Sequence, residues 1–218
     1  MSKPKSEFAK GLDAVQAGVH SFLKPSGFRK KGRAHNRNTT GGLVHVVGFQ
    51  MGQYPIGDYV IPGLRESFYG KFAVNLGVLL PCVYEVERQQ SPPDFVQEYH
   101  CTIRQRLGLL AFGEDRWFEI TQDTAALATD VVALLDRFGL EFFEQFQSYG
   151  DVLSYFKVHG DFPFQNAGRA SLEAALVAHH VRDGPLSVSL FAKAYATKHE
   201  GFQQHVAELA KRVGHTVG

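Results

Sequence analysis

The chain has 218 residues, 44% of them hydrophobic and 21% charged, which suits a globular protein with a sizeable core. A formal net charge of +1 supplies no global field to recruit nucleic acid or an acidic membrane, so any such role must come from a local patch. Cys82 and Cys101 make neither a disulfide framework nor a CxxC knuckle, and no apolar run reaches the length of a membrane span.

The basic start Met1–Ser6 leads into an amphipathic segment rather than a signal peptide, so the expected location is the cytoplasm, without membrane contact. Phe8, Leu12, Val15, Val19, Phe22 and Leu23 recur at spacings of three and four, one face of a helix that ends at Pro25-Ser26-Gly27. Residues 28–37 are basic and flanked by turn residues, and read as an edge strand. Asn38 to Gly42 supplies a hairpin turn, and Leu43 to Gln50 is the second strand. Residues 52–71 carry Pro55, Gly57, Pro62, Gly63 and Gly70 and read as a long irregular loop. A third strand runs from Phe72 to Leu80 and stops at Pro81, with Val83 to Glu87 as an edge extension. After the break at Ser91-Pro92-Pro93-Asp94, a fourth strand covers Tyr99 to Leu107, and a short one Arg116 to Ile120.

The character then changes. Asp123 caps a helix through Leu127, Val131, Leu134, Leu135 and Phe138, with Gly139 at its C-terminus. Glu141–Gln147 and Asp151–Val158 are short aromatic-rich helices; Ala170–Arg182, Leu186–Lys198 and Gly201–Val213 follow as helices joined by short turns. Strands followed by helices predict an α+β fold: a mainly antiparallel sheet of about four to five strands, an N-terminal helix and a helical C-terminal half. The expected division is a sheet domain over 1–160 and a helical extension over 161–218 packed on it.

Several pieces in order carry a family resemblance: Leu23-Lys24-Pro25, Gly27-Phe28-Arg29-Lys30-Lys31-Gly32-Arg33, Val46-Val47-Gly48-Phe49-Gln50, Phe72-Ala73-Val74-Asn75-Leu76-Gly77, the run Glu98 to Gly108, and Asp115-Arg116-Trp117-Phe118. Over roughly residues 8–150 the chain resembles the uncharacterised bacterial family catalogued as domain of unknown function 4304. Members of that family often carry a histidine directly after the cysteine; here Thr102 holds that position and His100 precedes Cys101. The resemblance implies no activity and does not reach the tail.

Strand side chains alternate faces, which sets Arg104 and Arg106 on one side and Cys101, Ile103, Gln105 and Leu107 on the other. Gln50, Asn75, Arg104 and Arg106 would converge if their strands are neighbours. Guanidinium forks suit carboxylates or phosphates, so the face would grip an acidic protein surface or a small anion; alternatively the arginines pair with Glu98, Glu114, Asp115 or Glu119. His45 and His100, on adjacent strands, would supply acid–base chemistry to an anion site. With Cys101 or His35 they would also be metal ligands, but the close ligand pairs typical of zinc are missing, and neither His179-His180 nor the His199/His205 pair has chelating helical spacing, so no metal and no cofactor is expected. No GxSxG, HExxH, P-loop or GxGxxG is present, and His100 faces away from Cys101 if both lie on a strand. Arg29, Lys30, Lys31 and Arg33 would touch phosphates if the basic strand met nucleic acid; the plainer reading is an edge kept soluble by charge. The expected function is non-enzymatic protein binding, adaptor- or immunity-like, through the arginine face or the helical tail. A small-anion binder or enzyme at Arg104, Arg106 and a histidine is the alternative, and nucleic-acid contact along 29–37 a further one.

Overall fold

Ser6 opens the first helix by accepting the Ala9 amide on its hydroxyl at 3.2 Å, and α1 (Glu7–Leu23) follows, burying Leu12, Val15, Val19 and Leu23 as the apolar spacing predicts. The structure, a computed structural model, describes residues 5–52, 68–197 and 199–217; most of the loop expected over 52–71 lies outside them.

Residues 28–37 form two strands, not one. β1 (Arg29–Lys31) pairs antiparallel with β2 (Ala34–Asn38), turning at Gly32, whose φ of +60° favours glycine. β1 is nonetheless the edge strand expected: three residues, all exposed, all cationic. The predicted turn then leads to β3 (Val44–Met51), with Thr39 and Leu43 exchanging hydrogen bonds across it. β4 (Lys71–Leu79) is buried over all but its first residue. β5 (Ile103–Arg106) and the two-residue β6 (Phe118–Glu119) complete, among the described residues, an antiparallel sheet of six strands, ordered β1-β2-β3-β4-β5 with β6 also on β4.

Three further segments depart from expectation. Val83–Glu87 extends no strand; it lies inside α2 (Pro81–Arg88), because a proline that stops a strand also suits the first turn of a helix. The fourth strand is shorter than predicted at both ends. Glu98–His100 is a 3-10 turn closed by reciprocal Gln97–His100 capping, and Leu107 already begins α3 (Leu107–Phe112). Gly139 ends no helix: α4 (Thr124–Leu134) widens into a π-helical turn at Leu135–Gly139 and continues as α5 (Leu140–Glu144).

The chain forms two compact units interleaved in sequence. One comprises Met1–Arg37, Val46–Leu76 and Gln105–Phe142, and in it α1 packs along α4. The other comprises Asn38–His45, Gly77–Arg104 and Phe143–Gly218. It holds α6 (Tyr149–His159), α7 (Ala167–His180), α8 (Gly184–Tyr195) and α9 (Glu200–Arg212). α7 is buried without interruption from Ala170 to Ala178, as a helix enclosed on every side must be, and α2, α6 and α8 pack against it.

Gly77 is in β4 for space rather than for conformation: a Cβ there would sit 2.6 Å from Cys101 Sγ and 2.8 Å from its Cβ. Gly77→Ala is expected to destabilise by about 1–3 kcal/mol, the usual cost of overpacking, despite alanine's better strand propensity. Urea denaturation checks this, and Cys101→Ala in the same chain is expected to recover part of the loss.

Candidate functional site

β5 carries both predicted arginines, and each is already engaged. Arg104 is exposed and pairs with Glu98, which the 3-10 turn places beside it. Arg106 reaches Asp115 at 2.5 Å and lies 5.3 Å over the Trp117 ring. Gln50 and Asn75 are brought together, the buried Asn75 amide donating to Gln50 Oε1 at 3.2 Å, which satisfies the one amide in an apolar strand. Among the described residues no hydrogen bond or ion pair joins either arginine to that couple, and Arg104 belongs to a different unit from Gln50, Asn75 and Arg106.

The two histidines do not form a pair of neighbouring strand residues. His45 is on β3, wholly buried, stacked on Phe143 at 4.6 Å, with Nε2 donating to the Phe146 carbonyl at 2.6 Å. That carbonyl can only accept, so the Nε2 proton is fixed in place. His100 lies in the 3-10 turn, its Nδ1 accepting the Gln97 amide at 3.1 Å, and burial together with Arg88 lowers its pKa. Cys101 follows that turn rather than sharing a strand with His100. Its thiol leans on the Gln97 carbonyl at 3.8 Å, and burial drives its pKa well up, the opposite of an activated nucleophile. Of the basic residues, Arg29, Lys30 and Lys31 are exposed on β1, while Arg33 is half-buried with Nη2 3.6 Å from Met51 Sδ. Among the described residues no three His, Cys, Asp or Glu side chains are placed to hold a metal ion. The aromatic residues Phe142, Phe143 and Phe146 are buried.

Three arrangements escaped the sequence reading. The first is a groove of about 480 Å³ between α6 and α8, lined by Leu153, Phe156, Lys157, Asp183, Leu186 and Leu190. Asp183 is spent on capping α8, its Oδ1 accepting the Leu186 amide at 3.1 Å. Lys157 is exposed on the lining, and Lys193 stands 5.1 Å over the ring of Phe156, one of the lining residues, so two cations flank the floor opposite the one carboxylate of Asp183. Leu186, Val188 and Val158 remain exposed on the same helices. Only their exposure distinguishes these residues from core, and helical spacing does not report exposure.

The second is a charged cluster around α7. Arg169 donates to Glu173 at 2.7 Å, pairs with Glu87 of α2, and has Nη1 3.4 Å from His205 Nε2 of α9. Gln165 donates to the Thr102 carbonyl at 2.7 Å. The i,i+4 pair Arg169/Glu173 is legible in sequence; its burial is not.

The third is Gln16, His20 and His35. Gln16 and His20 share a face of α1, and the His20 and His35 rings are 5.4 Å apart. Both amide atoms of Gln16, both ring nitrogens of His35 and Nδ1 of His20 are buried without a hydrogen-bond partner among the described residues.

The fold and its surface define an α+β protein whose predicted polar face is built of internal ion pairs and amide contacts. The family described as Domain of unknown function (DUF4304) matches residues 19–145 of the 218, and the chain belongs to it. The match stops before α6, so the groove lies beyond it, while the charged cluster on α7 draws Glu87 and the Thr102 carbonyl from within it. No curated protein and no solved structure matches the chain.

His35 sets an acid limit on this fold. Burial, then His20 and Lys30, push its pKa down to about 4, while the Val47 backbone pulls weakly the other way. The unfolded chain takes up that proton near its ordinary value of about 6.5 and the folded chain only near 4, so stability is lost as pH falls through this window. The loss is on the order of 3 kcal/mol by pH 4. Denaturant titration across the window is expected to show it, and His35→Phe to flatten it.

Proposed function

We propose that the protein is a non-enzymatic binding protein that holds an apolar, acid-bearing segment of another protein in the groove between α6 and α8. The observation that carries this reading is the groove's chemistry: an apolar floor of Leu153, Phe156, Leu186 and Leu190 with exposed Lys157 on its lining and Lys193 over the Phe156 ring, against the single carboxylate of Asp183 at the start of α8. An amphipathic helix or strap would bury the floor, and its carboxylates would meet the two ammonium groups. The arginine face supports this version over a small-anion site. A phosphate or carboxylate at Arg104 and Arg106 would meet the repulsion of Glu98 and Asp115, which already pair with the two guanidinium groups. His45 is sealed in the core and supplies no acid–base group there. The exposed cations of β1 protect an edge strand rather than follow a nucleic-acid backbone. The setting in this reading is a bacterial cytoplasm, where Cys82 and Cys101 stay reduced.

The test is capture from nuclease-treated lysate with a photo-crosslinking side chain at position 154, where the exposed Ser154 of α6 lines the groove. A single protein is expected at stoichiometric yield, crosslinked through an apolar segment that carries Asp or Glu. Leu186→Glu and Lys157→Glu are each expected to weaken its retention roughly tenfold or more, the scale of a central interface residue, while Arg104→Ala with Arg106→Ala leaves it unchanged. Retention unaffected by the groove variants, or a crosslink only to a second copy of the chain, would overturn the reading.

A further inference from the structure

We propose that the turn after α9, residues 213–217, is a pH-gated latch: the His215 ring seats it on α7 and α8, and loading protons onto the facing His179–His215 pair releases it. The turn is built by the backbone first. Gly214 takes a φ of +80°, its amide donates to the Lys211 carbonyl at 3.1 Å, and the His215 amide donates to the Ala210 carbonyl at 2.9 Å. This glycine closure satisfies the last carbonyls of α9 and folds the chain back, which delivers His215 to a fixed place. Its ring then meets three side chains. The Phe191 ring lies 5.6 Å away and the His179 ring 5.4 Å away, the second edge-on at 88°. Nε2 is 3.3 Å from the Ser187 hydroxyl. That hydroxyl donates its one proton to the Ala175 carbonyl at 3.0 Å, so it can only accept from the ring, and the neutral imidazole carries its proton on Nε2. Ser187 and Phe191 are fully buried, one turn apart on α8, and the half-buried ring rests on both.

These contacts suit a neutral pair of rings and not a doubly charged one. At the end of α7, the surface that His179 buries, then His215 and His180, lower its pKa. From α7 the titratable groups beside the latch are His179 and His180, the latter with its ring 4.4 Å from Tyr149. α8 presents the uncharged Ser187 and Phe191, and Asp183 at its start is held by the Leu186 amide. On α9, Lys211 is exposed, and Arg212 is turned to Glu208 and to the Val86 and Glu87 carbonyls. Among the described residues no carboxylate pairs with either imidazole, so nothing neutralises a second proton there. Two unit charges about this far apart near a surface repel enough to shift an equilibrium on the order of tenfold. The open turn returns His179 to its ordinary value of 6.5 and the closed turn depresses it, so the latch is held above 6.5 and lost as pH falls below it. Release bares the side of α8 that carries Ser187 and Phe191, next to the Leu186 and Leu190 side that walls the groove. The latch does not depend on what the groove holds.

Nuclear magnetic resonance of the full chain tests this. At about pH 7.5 the His215 ring is expected as the Nε2–H tautomer, with its amide protected against hydrogen exchange by the bond to Ala210. On going to about pH 5, that protection, corrected for the intrinsic exchange rate, is expected to fall on the order of tenfold. The amides of α7 and α8 keep theirs, which separates the latch from the general acid loss at His35. His179→Ala removes the facing charge, and His215→Phe keeps an aromatic ring on Phe191 without a proton to gain; in each, the protection is expected to stay level across the same range. Protection at His215 that does not change with pH, that falls equally in His179→Ala, or that falls only together with α7 and α8 would overturn the proposal, as would an Nδ1–H tautomer.

Discussion

The burial of β4 is the constraint on which the structure turns. From Phe72 to Leu79 every residue of this strand is shielded from water, so both of its faces must be covered and both of its edges paired. The sheet order meets the second demand by setting β3 on one side and β5 and β6 on the other. The strand also belongs to both compact units in turn, the first to Leu76 and the second from Gly77. A strand so enclosed can hold one polar side chain only if that side chain is satisfied, and Gln50 meets this requirement for Asn75. The amide couple is therefore a structural necessity before it is a recognition element.

The polar groups elsewhere follow the same rule with different outcomes. Arg104 and Arg106 are paired at the surface with acids six and nine residues away, so part of their charge is already neutralised within the chain. His45 is satisfied by a carbonyl brought from far along the chain. Both amide atoms of Gln16 stay buried without a partner among the described residues, and ordered water is the usual complement of such a group.

Much of this was legible in the residues. Apolar spacing marked α1 and the tail helices, valine-rich runs marked β3 and β4, and charge marked the β1 edge. The errors have local causes. Pro81 marks the end of a strand, and the same ring geometry opens α2. Tyr99 and His100 alternate with apolar neighbours as strand residues do, but Gln97 and His100 cap each other, and a closed turn outcompetes alternation there. Gly139 resembled a terminating glycine because a widened turn preserves the apolar spacing on either side of it. The candidate polar face was half legible: its residues were named, and so were Glu98 and Asp115 as alternative partners, but which strand neighbours which is a tertiary fact. The groove was not legible at all, since Leu186 and Leu190 carry the same helical signal whether covered or bare.

The widened turn at Leu135–Gly139 has a consequence for how the chain tolerates length changes. A π-helical turn holds one residue more than the α-helical turn it replaces, so it works as a phase shifter between α4 and α5. Removing one residue there would restore regular winding and rotate everything downstream by about 100°. Phe143 would swing off the His45 ring, and the Phe146 carbonyl off its Nε2. A one-residue deletion at this point would strip the buried imidazole of its stacking partner and its acceptor together, whereas a deletion in the exposed tip of the β1–β2 hairpin would disturb neither.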